Sequence, residues 1–136
     1  MNRYLLDTNV VSEARKPRPH GAVIQWLDGL EVGGAFLSAL TLGELQVGIE
    51  KTRRHDQRKA EEIERWVDRL AAVYEVLPMD GPCFREWARI IDGKPPNLLQ
   101  DAMFAATARV HGLVVATRNE RDFKQLEVRT FNPFKN

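Results

Sequence analysis

Apolar residues along this chain come in two rhythms. Residues 4–6, 35–38, 74–77, 113–117 and 128–131 are short apolar runs closed off by polar, Gly or Pro positions, and they predict strands. Between them apolar residues recur every three or four positions, which predicts helices. Residues 10–15 form a brief one before Pro17 and Pro19, and residues 22–30 resume with Val23, Trp26, Leu27 and Leu30 on one face. Residues 56–73 place Ile63, Trp66, Val67, Leu70 and Ala71 at core spacing, opposite a charged, solvated face. Asp80-Gly81-Pro82 opens a helix striped by Phe84, Trp87, Ala88 and Ile91 and ended by Gly93-Lys94-Pro95-Pro96. Short strands alternating with helices predict an α/β domain, with a mostly parallel central sheet of four to five strands and helices on both faces.

Two helix starts carry acids. Thr41-Leu42-Gly43-Glu44 matches a capping box and predicts a helix over 42–50, followed by the basic link Lys51-Thr52-Arg53-Arg54-His55. Asn97 is placed to cap a later helix, and Gly112 suits the left-handed position that stops it. In that later helix Leu99, Met103, Ala106 and Val110 line one side while Phe104, Ala105 and Ala108 line the other, so burial all round is expected. Asp101 is a carboxylate in that company. Burying it ionised costs several kcal/mol unless a cation or hydrogen-bond donors compensate, and a metal ion is the expected partner.

Composition narrows the setting. At 136 residues and 43% hydrophobic, the chain has the size and apolar content of one globular domain, residues 1–136. Its formal net charge of +1 carries no global signature of nucleic-acid or membrane binding, so a polyanion has to meet a local patch. The lone cysteine, Cys83, excludes an internal disulfide, fits a reducing compartment and reads as inert core filler. No apolar run approaches the roughly 18 residues of a membrane span, and the N-terminal apolar stretch is too short for a signal peptide. A cytoplasmic protein without a membrane partner is expected. His20, His55 and His111 lack metal-ligand spacing and read as surface or loop residues.

In open parallel sheets ligands bind beyond the carboxyl ends of the strands. Asp7 follows the first strand and Asp122 the fourth, while Glu44 and Asp101 lie in first turns of helices, so the four can converge on one rim. Taken singly each has an ordinary explanation: Asp7 or Asn9 as a helix cap, Glu44 as half of a capping box, Asp122 in an Asx-turn. Jointly, carboxylates within about 5 Å repel by about 3 kcal/mol per pair at an effective dielectric near 20, which calls for a divalent cation. All-oxygen ligation without His or Cys favours Mg²⁺ or Mn²⁺ over zinc, and such ions favour a phosphate-ester substrate.

The order Leu5-Leu6-Asp7-Thr8-Asn9, Thr41-Leu42-Gly43-Glu44-Leu45, Asp101-Ala102-Met103-Phe104-Ala105-Ala106-Thr107-Ala108, Thr117-Arg118-Asn119-Glu120-Arg121-Asp122-Phe123 and Asn132-Pro133-Phe134 resembles PIN-domain toxins of the VapC type, FitB-like members included. Met103 and Phe104 stand where smaller aliphatics are expected. The resemblance covers essentially the whole chain and implies a PIN-like three-layer sandwich. It also implies a Mg²⁺- or Mn²⁺-dependent endoribonuclease, the toxin of a type II toxin–antitoxin pair, with a cognate antitoxin and homodimerisation. By motif, Asp7 and Asp101 are the principal metal ligands, Glu44 completes the acidic pocket, and Asp122 binds a second ion or orients water. Thr8, Asn9, Thr117 and Asn119 are polar supports. Because the pocket is negative, nearby cations have to hold RNA, and Lys51, Arg53, Arg54 and Arg118 are the candidates. Two other readings remain: a receiver-like or phosphatase-like phosphotransfer domain using Asp7, which lacks the second acid such sites need, and a non-catalytic module binding a basic partner.

Overall fold

The computed structural model describes residues 2–135. Its centre is a sheet of five strands, β1 (Tyr4–Leu6), β2 (Ala35–Ser38), β3 (Glu75–Leu77), β4 (Val114–Ala116) and β5 (Thr130–Phe131), in the order β3-β2-β1-β4-β5. All four ladders are parallel, so the sheet is more regular than the mixed possibility left open by the sequence. From β1 the chain first builds outward through β2 to β3, then returns to the other side for β4 and β5. The direction of building reverses beside β1, and that is where a crevice opens in such sheets.

Strand side chains alternate between two cores. Leu5, Phe36, Leu77 and Val115 point to one face, packed by α5 (Gly81–Ile91), α6 (Leu99–His111) and α7 (Glu120–Lys124). Leu6, Ala35, Leu37 and Ala116 point to the other, packed by α1 (Thr8–Glu13), α2 (Gly21–Asp28) and part of α4 (Gln57–Val73). Helix α3 (Ala39–Arg53) lies against α4 through Ile49, Ala60 and Val67. The result is a three-layer sandwich with a fully parallel middle layer.

Several local expectations need correction. Thr41 does not cap α3: the helix begins at Ala39, and Ser38 at the end of β2 accepts from the Leu40 amide instead. The strand end supplies its own cap, which leaves Thr41 inside the helix and fully buried. Nor does Asn97 cap α6; it sits within a 3₁₀ turn, Pro96–Leu98, that runs directly into the helix. Helix α1 starts two residues before the expected position 10, with Asp7 as its cap. The basic stretch from Lys51 to Arg53 is the last turn of α3 rather than a link. On α5 the buried positions are Cys83 and Ile90, with Phe84 and Ala88 exposed, because α6 takes the face one residue round from the one the pattern suggested. Ala71 of α4 is likewise exposed.

Helix α6 is less enclosed than its composition implied. Ala102 and the run from Phe104 to Ala108 are buried, but Leu99 and Val110 are each 41% exposed. Asp101 is half-buried at the edge of the packed side. Gly112 does end the helix in the left-handed region, at φ 68°, where a side chain is disfavoured. Cys83 is buried, and burial pushes its thiol pKa up, in keeping with an inert role. His20 and His55 are exposed; His111 is half-buried in the last turn of α6 with Nε2 unpartnered, not a loop residue. No helix among the described residues is long and apolar enough to cross a membrane.

Candidate metal and catalytic site

Register brings the first two site residues together. Leu6 of β1 pairs with Ala116 of β4, so the next residue on each strand, Asp7 and Thr117, leaves the sheet side by side at the reversal point. The Asp7 amide donates to the Ala116 carbonyl at 2.9 Å, continuing the ladder by one bond. Leu6 also pairs with Leu37, which brings Ser38 and hence the start of α3 to the opposite flank.

Asp7 is the most enclosed of the acids, at 6% exposure. Three donors hold its carboxylate: the Thr8 amide to Oδ1 at 2.8 Å, and to Oδ2 the Thr117 hydroxyl at 2.7 Å and the Asn9 amide at 3.2 Å. Burial nevertheless raises its pKa above the ordinary range. The Thr117 bond and the Thr8 amide pull it down, and the Glu44 charge pushes it further up. Thr117 in turn accepts from the Asn119 amide at 2.9 Å. Asn119 thus contributes its backbone to this cluster, while its side chain makes no capping bond to α7.

Glu44 belongs to a second hydrogen-bond chain. Thr8 Oγ1 donates to Glu44 Oε1 at 2.5 Å and lies 2.9 Å from Thr41 Oγ1. Since the Thr8 proton goes to the carboxylate, Thr41 donates to Thr8. Glu44 Oε2 accepts from Gln100 Nε2, one residue before Asp101 on α6. Both oxygens of Glu44 are therefore fixed from opposite sides, by α1 and by α6. The Thr41–Glu44 pairing was read as a local cap; the two residues instead join through Thr8, 36 positions from Glu44 in the chain.

Asp101 has no such support. Its pKa is raised from 3.8 to about 6, first by burial and then by the charges of Asp7, Asp122 and Glu44. The other three acids therefore all lie within reach of Asp101. Asp122 lies in the short helix α7, not in a loop. Among the described residues none of the four forms an ion pair with Lys, Arg or His, although the chain holds 20 Lys and Arg residues. Equally, among the described residues no three His, Cys, Asp or Glu side chains stand close enough to clasp an ion as placed. Neutral donors hold Asp7 and Glu44. An oxygen-only donor set without counter-charge, around one carboxyl easily protonated, fits a hard divalent cation.

The expected cations differ in placement. Lys51 and Arg54 are exposed at the far end of α3, about 10–15 Å along the axis from Glu44. Arg53 there is engaged by Glu50 at 3.0 Å and Glu64 at 2.9 Å, a surface link between α3 and α4. Arg118 alone of the four adjoins the acids, following Thr117 directly, with its amide donating to Asn9 Oδ1 at 3.3 Å. Sequence reasoning did not single out Gln100 or the buried Glu13, and treated Thr41 only as a cap. Their partners come from distant parts of the chain, so no local pattern marks them.

A parallel sheet that reverses beside an uncompensated acidic cluster defines a class of metal-dependent phosphodiester chemistry. The PIN domain model matches residues 4–128, and the chain belongs to that family. Over 136 residues it is 36% identical to Toxin FitB from Neisseria gonorrhoeae, covering 96% of this chain and 97% of that one. It is 33% identical over 136 residues to the VapC ribonuclease Y4jK of Sinorhizobium fredii, covering 96% of each. The crystal structure of FitAcB from Neisseria gonorrhoeae superposes with a TM-score of 0.88 at 33% identity, over 98% of this chain and 99% of that one. Ribonucleases of this family are divalent-metal dependent.

Proposed function

We propose that this chain is a divalent-metal-dependent endoribonuclease, the toxin of a type II toxin–antitoxin pair. Asp7 and Asp101 are its principal metal ligands, and Glu44 and Asp122 complete the pocket. The observation that carries the reading is that strand register and helix starts bring acids from four separate elements to the reversal point of the sheet, with no Lys, Arg or His paired to any of them among the described residues. Mg²⁺ is the favoured ion, with Mn²⁺ as substitute, because all donors are hard oxygens.

When bound, the ion supplies a water of lowered pKa and stabilises charge developing on the phosphate and leaving oxygen. The chain does the positioning. Thr117, Thr8 and Asn9 hold both oxygens of Asp7 in fixed directions, and Thr8 with Gln100 does the same for Glu44. Asp101 needs no such bonds, since the buried residues from Phe104 to Ala108 mount its helix rigidly against the sheet. A phosphotransfer role for Asp7 lacks its second acid, since Thr8 and Asn9 follow it at the end of β1.

The names of two relatives, a toxin and a ribonuclease, support an RNA substrate and a neutralising antitoxin. A homodimer, a cytoplasmic location and a single domain spanning 1–136 belong to the same reading. The last is supported by one sheet that uses both ends of the chain. Expression in a bacterial host, alone and beside the neighbouring small gene, tests it: growth arrest by the wild type, relieved by the partner gene and by Asp101→Asn, is expected. Unimpaired growth would leave the toxin role without support.

A further inference from the structure

One charged side chain beside the acids is built into place in a way that metal chemistry does not use. The Arg118 guanidinium carbon lies 3.8 Å from the centre of the Phe134 ring. Its Nη2 is 3.7 Å from Oε1 of Glu13, a residue only 4% exposed. Glu13 is itself held by Lys16 Nζ at 2.9 Å and by the His20 amide at 2.8 Å. Phe134 meets the His20 ring edge-on at 5.5 Å. Two separated segments, residues 13–20 and the C-terminal Phe134, thus converge on one arginine, whose side chain is still 50% exposed.

An arginine that serves as a phosphate contact presents its N–H edge. Here one edge nitrogen, Nη2, faces a buried carboxylate shared with Lys16, and one flat face is covered by Phe134. The uncovered surface includes the opposite face, flat, cationic and weakly hydrated, a surface on which unpaired bases stack. Its backbone is joined to Asp7 by two hydrogen bonds through Asn9, which sets it at the edge of the acidic pocket.

We infer that the outer face of Arg118 is a stacking platform for a nucleobase of single-stranded RNA entering the acidic site, with Phe134 and Glu13 as the residues that position it. This rests on the ribonuclease reading and adds a base subsite to it. The test is binding of a labelled mixed-sequence single-stranded RNA 12-mer, and of the same strand carrying abasic nucleotides, to the Asp101→Asn protein in Mg²⁺. Arg118→Lys, which keeps the charge but removes the plane, is expected to weaken binding of the normal strand about tenfold and leave the abasic strand unchanged, in line with the energy of one stacked base. Phe134→Leu is expected to act in the same direction, with thermal unfolding confirming that both variants fold. Equal binding of the normal strand by Arg118→Lys and its parent would overturn the platform, since a point charge would then suffice. If the Arg118→Lys loss is the same on both strands, the contact is to the backbone and the inference fails. Absence of RNA binding by the parent while the wild type cleaves RNA would overturn this inference alone, and absence of Mg²⁺-dependent cleavage by the wild type would overturn the ribonuclease reading and this one together.

Discussion

The Thr117 hydroxyl donates to Asp7 Oδ2 at 2.7 Å across 110 positions of sequence, joining the ends of two neighbouring parallel strands. This bond lowers the Asp7 pKa against the larger effect of burial. Thr117→Val keeps the shape and removes the donor. It is expected to cost about 1–3 kcal/mol of stability through the lost bond to Asp7, which Asn9 still serves, and the Asn119 amide left without its acceptor. It is also expected to raise the Mg²⁺ concentration needed for half-maximal RNA cleavage several-fold. Chemical denaturation and a metal titration check the two effects separately.

Asp101 makes stability depend on pH in a definite direction. Its folded pKa of about 6 lies above the ordinary 3.8, so between those values the native state keeps a proton that the unfolded chain has lost. Stability from this group therefore falls as pH rises through that window. Without divalent ions, the difference in unfolding free energy between Asp101→Asn and wild type is expected to grow in the variant's favour from pH 4 to pH 7. The group is half exposed, so solvent screening keeps the effect small. In the presence of Mg²⁺ protons compete with the ion, and the metal requirement is expected to rise as pH falls through about 6.

Gln100 fixes one oxygen of Glu44 and Thr8 the other. Gln100→Leu leaves Glu44 held from one side only, by Thr8. A reduction of about tenfold in cleavage, with a smaller change in RNA affinity, is expected from loss of orientation. Single-turnover kinetics beside binding measurements check this split.

Arg53 lies in the ion-pair link to Glu50 and Glu64 on the surface. Arg53→Ala is expected to leave RNA cleavage within twofold of wild type and to change stability little, as exposed pairs do. A large loss of RNA affinity would restore it as a substrate contact.

Much of this architecture was legible because it follows from local burial. The runs ending at Leu6, Ser38, Leu77 and Ala116 are strands closed by polar or helix-starting residues, and each acid was placed on the element that carries it, Asp122 excepted. What was not legible depends on partners far away. Thr41 and Glu44 have the spacing of a capping box, but Ser38 already caps the helix, which frees Thr41 to link to Thr8. Phe84 and Ala88 sit at helical spacing as good as that of Cys83 and Ile90, and only the position of α6 decides between them. Asp101 was chosen for its apolar neighbours, yet Asp7 is the more deeply buried acid. What sets Asp101 apart is that the charges of the other three acids all raise its pKa.

The most direct measurement is cleavage of single-stranded RNA by the purified protein with Mg²⁺, with EDTA, and with Asp7→Asn and Asp101→Asn substituted singly. Cleavage that EDTA abolishes and added Mg²⁺ restores, with each variant reduced at least about a hundredfold, is the result this site geometry predicts. Full Mg²⁺-dependent cleavage by either folded variant would contradict the assignment of the acidic cluster as the metal site.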